Sequence, residues 1–276
     1  PDSVVTVKNG KLYRAAMASG YDSVDNPWVY NSGNTVQQAG GNVGIGTTAP
    51  DSTLDVAGGA KFTRDVLVNG VTVGRGKGGI STNTTVGSGA MNANATGVQN
   101  TAIGSNALML NDAGVGNVAI GWSALKNTTT SFNIGIGASA LFNTTSGGAN
   151  VAIGQGAAHA NSTSSGNTAI GHNTMYVTTG NGYNVAIGFR SGYGPGPGTL
   201  TASNSIFVGA NAKSGVTSTT NEIVIGYGTF GKGSNTTTIG NTSTTDTYLA
   251  GALTVDSIPP YIGIPDSIVV PVSGKL

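Results

Sequence analysis

An Asn-x-Ala-Ile-Gly phrase returns along this chain at nearly constant spacing, and it constrains the fold more than any other feature. It reads Asn100-Thr-Ala-Ile-Gly104, Asn117-Val-Ala-Ile-Gly121, Asn133-Ile-Gly-Ile-Gly137, Asn150-Val-Ala-Ile-Gly154, Asn167-Thr-Ala-Ile-Gly171 and Asn184-Val-Ala-Ile-Gly188. The closing glycines, 104, 121, 137, 154, 171 and 188, are separated by 17, 16, 17, 17 and 17 residues. Looser copies end at Gly87 before the series and at Gly209, Gly226 and Gly240 after it. A fixed period of this kind marks a stacked architecture in which each repeat touches only its neighbours.

Taken as a short strand, each phrase alternates its side chains across two faces. One face carries a β-branched residue and then Ile103, Ile120, Ile136, Ile153, Ile170 or Ile187. β-branched residues suit a pleated surface, so the expectation is a ladder of isoleucines packed inside the coil. The other face carries only Ala102, Ala119, Gly135, Ala152, Ala169 and Ala186. A face kept this small is expected to lie against another copy of the chain. Asn and Gly at the two ends are read as corner residues that accept left-handed backbone angles. A second apolar segment, such as Ala107-Leu108 or Ala124-Leu125, is read as a second strand, so that one coil of about 17 residues holds two strands and two turns. Helix is disfavoured by the density of Gly and β-branched residues.

Composition narrows the function. Only 8% of residues are charged, against roughly 25% in an ordinary globular domain, and 46 of the 276 are glycine. Such a polar, uncharged chain resembles a disordered linker, but the strict register of Ile and Val opposes that reading. A net charge of +1 with no basic stripe gives no support for nucleic-acid binding. No apolar run approaches the roughly 20 residues that span a bilayer as a helix, so membrane insertion is not expected. With no cysteine there are no disulfides or thiolate metal sites. Pro1 stands where an initiator Met would, which suits a processed chain or a piece of a longer one. The thin core of each coil calls for self-association, and a homotrimer is the preferred assembly.

The phrases Asn42-Val-Gly-Ile-Gly-Thr-Thr-Ala-Pro50, Leu54-Asp-Val-Ala-Gly58 and Val68-Asn-Gly-Val-Thr-Val-Gly-Arg-Gly76, followed by the Asn-x-Ala-Ile-Gly series, resemble the distal part of bacteriophage tail fibres over residues 42 to 255. The coils are also similar to the β-roll heads of trimeric autotransporter adhesins. The resemblance implies an all-β, elongated homotrimeric β-solenoid located in the virion tail fibre. Its implied partners are itself, other tail or fibre proteins, and a polysaccharide or outer-membrane protein of the host surface. The adhesin alternative would place it on a bacterial cell surface instead. The expected layout is an amino-terminal β joint over 1–41, a β connector over 42–79, a β-roll over 80–240 and a carboxy-terminal cap or joint over 241–276. Pro1–Leu12 and Pro265–Leu276 match at 7 of 12 positions, which suggests a duplicated joint. A fibre shaft whose receptor-binding tip lies on another chain is the structural alternative.

Catalytic and cofactor motifs are read as absent. Gly226-Tyr-Gly-Thr-Phe-Gly-Lys-Gly233 approaches a phosphate-binding loop, but Gly233 replaces the Ser or Thr and no helix-forming segment follows. His159 and His172 lack a carboxylate or second histidine at ligand spacing. Asp22, Asp25, Asp51 and Asp55 read as turn residues rather than calcium ligands. No paired carboxylates suggest glycosidase chemistry. The chain is therefore expected to be no enzyme and to need no cofactor or metal.

One position varies where its neighbours do not. The residue after the corner glycine is Ser105, Trp122, Ala138, Gln155, His172 and Phe189 in successive coils. This fits a displayed stripe with one side chain per rung. The next coil is stretched to 21 residues (188 to 209) and includes Arg190, Tyr193 and Gly194-Pro-Gly-Pro-Gly198; loops that interrupt solenoids often bind ligands. Trp122, His172, Phe189, Arg190 and Tyr193 are the candidate receptor-binding residues, with a sugar ring stacked on Tyr or Trp. The competing expectation is that Trp122 and Phe189 plug gaps between subunits.

Overall fold

The computed structural model describes residues 3–8, 11–16, 36–39, 42–45, 51–194, 200–248 and 250. Asp22, Asp25, the loop residues 195–199 and the proposed duplicate Pro265–Leu276 lie outside them, as does most of the 241–276 cap. The chain divides into two compact units, Pro1–Thr63 and Arg64–Leu276. In the first, β1 (Ser3–Lys8) and β2 (Lys11–Ala16) form an antiparallel hairpin. β3 (Val36–Ala39) pairs antiparallel with β4 (Asn42–Ile45), which pairs in parallel with β5 (Leu54–Val56).

The second unit is an all-β solenoid of about nine coils. β6 (Val66–Val68) and β7 (Val71–Gly74) form a hairpin, and β7 pairs antiparallel with β8 (Thr84–Val86). From β8 onward the same sheet runs parallel, one three-residue strand per coil. The successive strands are β9 (Thr101–Ile103), β10 (Val118–Ile120), β11 (Ile134–Ile136), β12 (Val151–Ile153) and β13 (Thr168–Ile170). β15 (Val185–Ile187), β17 (Ile206–Val208), β19 (Ile223–Ile225) and β20 (Thr237–Ile239) complete it. The register is in step, with Ala over Ala and Ile over Ile. The sheet thus has twelve strands, and the hairpin assigned to the 42–79 connector by sequence is hydrogen-bonded into it.

The strands face the opposite way from the expectation. Ala102, Ala119, Ala152, Ala169 and Ala186 are fully buried inside the coil, and Gly135 is buried with them. Ile103, Ile120, Ile153, Ile170 and Ile187 stand 36–40% exposed on the outside, with Ile136 half-buried. The reason is the width of the coil. Leu108, Leu125 and Leu141, on the wall that faces the strands, are fully buried and fill the interior. A methyl placed on Gly135 would already sit 3.1 Å from Leu125 Cγ, so the strand wall has room for nothing larger than Ala. Where the facing residue shrinks to Gly192, the strand residue grows to Phe207, fully buried and within 3.4 Å of a methyl built there. Volume is conserved across the core, as close packing demands.

The second apolar segment is no strand in most coils. Asn106 and Leu108, like Ser123 and Leu125, hold positive φ (49 to 58°), which turns the chain sharply while Leu108 N–H still donates to Ala124 O of the next coil at 3.0 Å. Only β14 (Thr178–Gly182), β16 (Leu200–Ser203) and β18 (Ser218–Thr220) build a second parallel sheet. The conserved-looking Asn is not the left-handed residue either. That role falls to the residue before it, as in Gln99 (φ 59°) and Ala149 (φ 56°). Asn100, Asn117, Asn133 and Asn150 are fully buried. Each Oδ1 accepts the backbone N–H of the next Asn at 2.9–3.1 Å, and Asn100 and Asn117 send Nδ2 across to Gly114 O and Thr130 O at 2.7 Å. The corner glycine does behave as expected. Gly137 has φ 126°, and a methyl on it would lie 2.6 Å from Gly154 C.

Candidate functional site

Side chains outside the core are held on fixed rungs, about 4.8 Å apart by the strand spacing. The row after the corner glycine is keyed by backbone hydrogen bonds. Ser139 N–H donates to Trp122 O, Arg190 N–H to His172 O, Asn211 N–H to Phe189 O and Gly228 N–H to Ala210 O, at 2.8–3.0 Å. This aligns Ser105, Trp122, Ala138, Gln155, His172, Phe189, Ala210 and Tyr227 along one edge. Trp122 is 58% exposed, Phe189 48% and Tyr227 73%. His172, also exposed, stacks on Phe189 with ring centroids 5.5 Å apart and planes within 9°.

A second row holds the other ring stack. Phe142, His159, Tyr176 and Tyr193 lie on consecutive rungs, with centroid separations of 5.1, 4.7 and 6.3 Å and planes within 16°. Lys126 Nζ lies 5.4 Å from the Phe142 ring centre, and the Arg190 guanidinium 4.6 Å from that of Tyr193. Lys213 covers Phe230 in the same way at 4.9 Å. Burial within the stack lowers the pKa of His159 below its ordinary value, because desolvation disfavours the imidazolium.

A third row carries Phe132 and Tyr183 at the left-handed corner, with φ of 63° and 58°. They are 65% and 68% exposed, and each ring lies over the corner glycine one coil earlier, Gly116 or Gly166. Left-handed angles are costly for a bulky residue, and rings this exposed contribute little to the core.

Of the residues singled out by sequence, the structure brings His172 to Phe189 and Arg190 to Tyr193, in two separate rows. Trp122 stands three rungs from His172. Tyr193 does not offer a free face for a sugar ring along the stack, because Tyr176 flanks it and the Arg190 guanidinium lies over it. Sequence reasoning missed Phe142, Tyr176, Tyr227, Phe132 and Tyr183, and weighed His159 only as a metal ligand. The signal for the main stack was present, since 142, 159, 176 and 193 repeat at 17 residues like the glycines.

Among the described residues no group of three or more His, Asp or Glu could hold a metal ion, and no helix is long and apolar enough to cross a membrane. The surface is one that offers rings and hydroxyls on a rigid grid. No protein-family model, curated protein or solved structure matches the chain.

Proposed function

We propose that this chain is a non-catalytic segment of a bacteriophage tail fibre that attaches the virion to the surface of its bacterial host. The observation that carries the proposal is the set of aromatic side chains, Trp122, Phe189 and Tyr227 foremost, exposed on rungs that the core does not need filled. Solvent-exposed rings on a rigid scaffold are a poor use of sequence for stability and a good one for recognition. The partner class is a host polysaccharide or outer-membrane protein, with other fibre proteins joining the chain to the particle and no role for nucleic acid.

The outer isoleucine face supports self-association as a homotrimer. Its two columns hold only Thr, Val and Ile from Thr84 to Ile239, about 43 Å over ten rungs. An uncharged apolar strip of this length exceeds what solitary chains usually expose, and its 4.8 Å corrugation is matched by the same face of a second copy. Three copies would then multiply weak surface contacts through avidity.

The reading is tested with the purified, fluorescently labelled chain on a panel of bacterial strains. Saturable binding to some strains is expected, reduced at least tenfold by Trp122→Ala with Phe189→Ala; uniform absence of binding would sink it. Sedimentation should give three times the 27.2 kDa chain mass, and Ile120→Ser with Ile153→Ser should return the monomer.

A further inference from the structure

The two ring rows differ in one respect that assigns a ligand site. In the second row every rung from Phe142 to Tyr193 carries a ring, and each ring fills the space between its neighbours. In the first row the stack begins with His172 on Phe189 and then breaks. The next rung holds Ala210, and the one after it Tyr227. Since the Phe189 ring is parallel to His172, its other face looks along the row across the Ala210 rung. Phe189 and Tyr227 therefore frame a rung from which one ring is missing. Phe142 and Tyr176 frame His159 in the same relation, by steps of 5.1 and 4.7 Å.

We infer that the slot over Ala210, between Phe189 and Tyr227, takes one pyranose ring of a surface glycan. Two rungs span about 9.6 Å. Contact distances of roughly 3.5–4.0 Å on each face leave about 2 Å for the occupant, which is the thickness of a puckered ring with axial hydrogens on both faces. A flat aromatic ring would leave both contacts loose. The slot also favours a neutral ring, because the nearest cation in sequence, Arg190, is committed to Tyr193. The two walls are among the more exposed rings of the molecule, 48% and 73%, so the slot opens to solvent. This inference rests on the attachment reading for its biological setting but not for its geometry.

The test is saturation-transfer NMR of the full chain with methyl glycosides of glucose, galactose, mannose and N-acetylglucosamine, and with phenol as a flat control. Transfer to at least one pyranoside is expected, with millimolar affinity weakened at least tenfold by Tyr227→Ala. Ala210→Phe should abolish it by filling the rung, with the fold retained because consecutive rings already stack in the second row; the circular dichroism spectrum checks this. Tyr193→Ala should leave it unchanged. Transfer that survives Ala210→Phe, transfer to phenol alone, or no transfer at all would overturn the slot. Cell binding separates the two proposals. A chain that binds cells but no pyranoside refutes the slot and keeps the attachment reading, whereas one that binds pyranosides but no cells does the reverse.

Discussion

Asn117 and Asn100 are joined twice across adjacent coils: the backbone N–H of Asn117 donates to Asn100 Oδ1 at 2.9 Å, and its Nδ2 donates to the same oxygen at 3.2 Å. The pairing continues, because Asn117 Oδ1 accepts the N–H of Asn133 at 2.9 Å. One amide column therefore satisfies backbone groups that the three-residue strands leave over, inside a core with no water to do so. It also sets register, since a one-residue slip would leave every amide without its partner. The column ends toward the carboxyl side, where Ser205 and the buried Glu222 take its positions.

Replacing Asn117 by Ala should accordingly cost about 3 kcal/mol. The buried N–H of Asn133 and the carbonyl of Thr130 both lose their partner, and each orphaned group costs roughly 1–3 kcal/mol. Thr129→Ala removes only an exposed bond to Thr145 O and should change stability by less than about 0.5 kcal/mol. Urea unfolding followed by circular dichroism compares the two.

The corner glycines allow a cleaner contrast. Gly137 combines φ 126° with a next coil 2.6 Å from any added methyl, whereas Gly228 has φ 60° and open space around it. Gly228→Ala should cost only the left-handed penalty of about 1–2 kcal/mol. Gly137→Ala must also push Gly154 backbone away, and should expose amides of the coils on both sides to rapid hydrogen exchange. Equal exchange in the two variants would show that close approach is not the constraint.

Why the period was legible and the sidedness was not follows from the same coil. Stacking forces each rung to repeat, so Gly104 to Gly188 announce the solenoid directly. Which face points inward depends on the opposite wall, and Leu125 and Leu141 are about ten residues away along the chain from the alanines they exclude. A large apolar residue is ordinarily the inner one, and that general rule fails where the interior is a single leucine deep. Asn was misread for a similar reason. Its tolerance of left-handed angles is a local property, while its use here is a contact 17 residues away. The ring stack of Phe142, His159, Tyr176 and Tyr193 needs the same long-range register and becomes visible once the coil length is known.

The inversion itself predicts opposite outcomes for neighbouring residues. Ala119→Val adds two methyl groups to a fully buried site and should destabilise by about 1–3 kcal/mol through overpacking. Ile120→Ser, one residue later on the outer face, should leave the unfolding midpoint of the isolated chain nearly unchanged while weakening self-association. Thermal unfolding at low and high protein concentration separates the two effects. Were Ile120 inside, the serine variant would be the more damaged at every concentration.

His159 gives the chain a pH response confined to one place. Burial between Phe142 and Tyr176 holds its pKa below the unfolded value of about 6.5, so the unfolded state binds the proton more tightly. Stability from this residue is then complete above pH about 6.5 and falls as pH drops toward the folded pKa, below which it changes no further. The other groups that face the ring along its row are Lys126 at one end and Arg190 at the other, both cations that stay charged across this range. Lowering the pH from 7.5 to 5 should therefore reduce the unfolding temperature of the wild-type chain and increase hydrogen exchange in the coils holding Phe142, His159 and Tyr176. His159→Phe keeps a ring on the rung and should remove that part of the pH dependence while retaining the stack. If the variant and the wild type lose stability in parallel on acidification, the response originates elsewhere in the chain and the burial of His159 has no thermodynamic consequence.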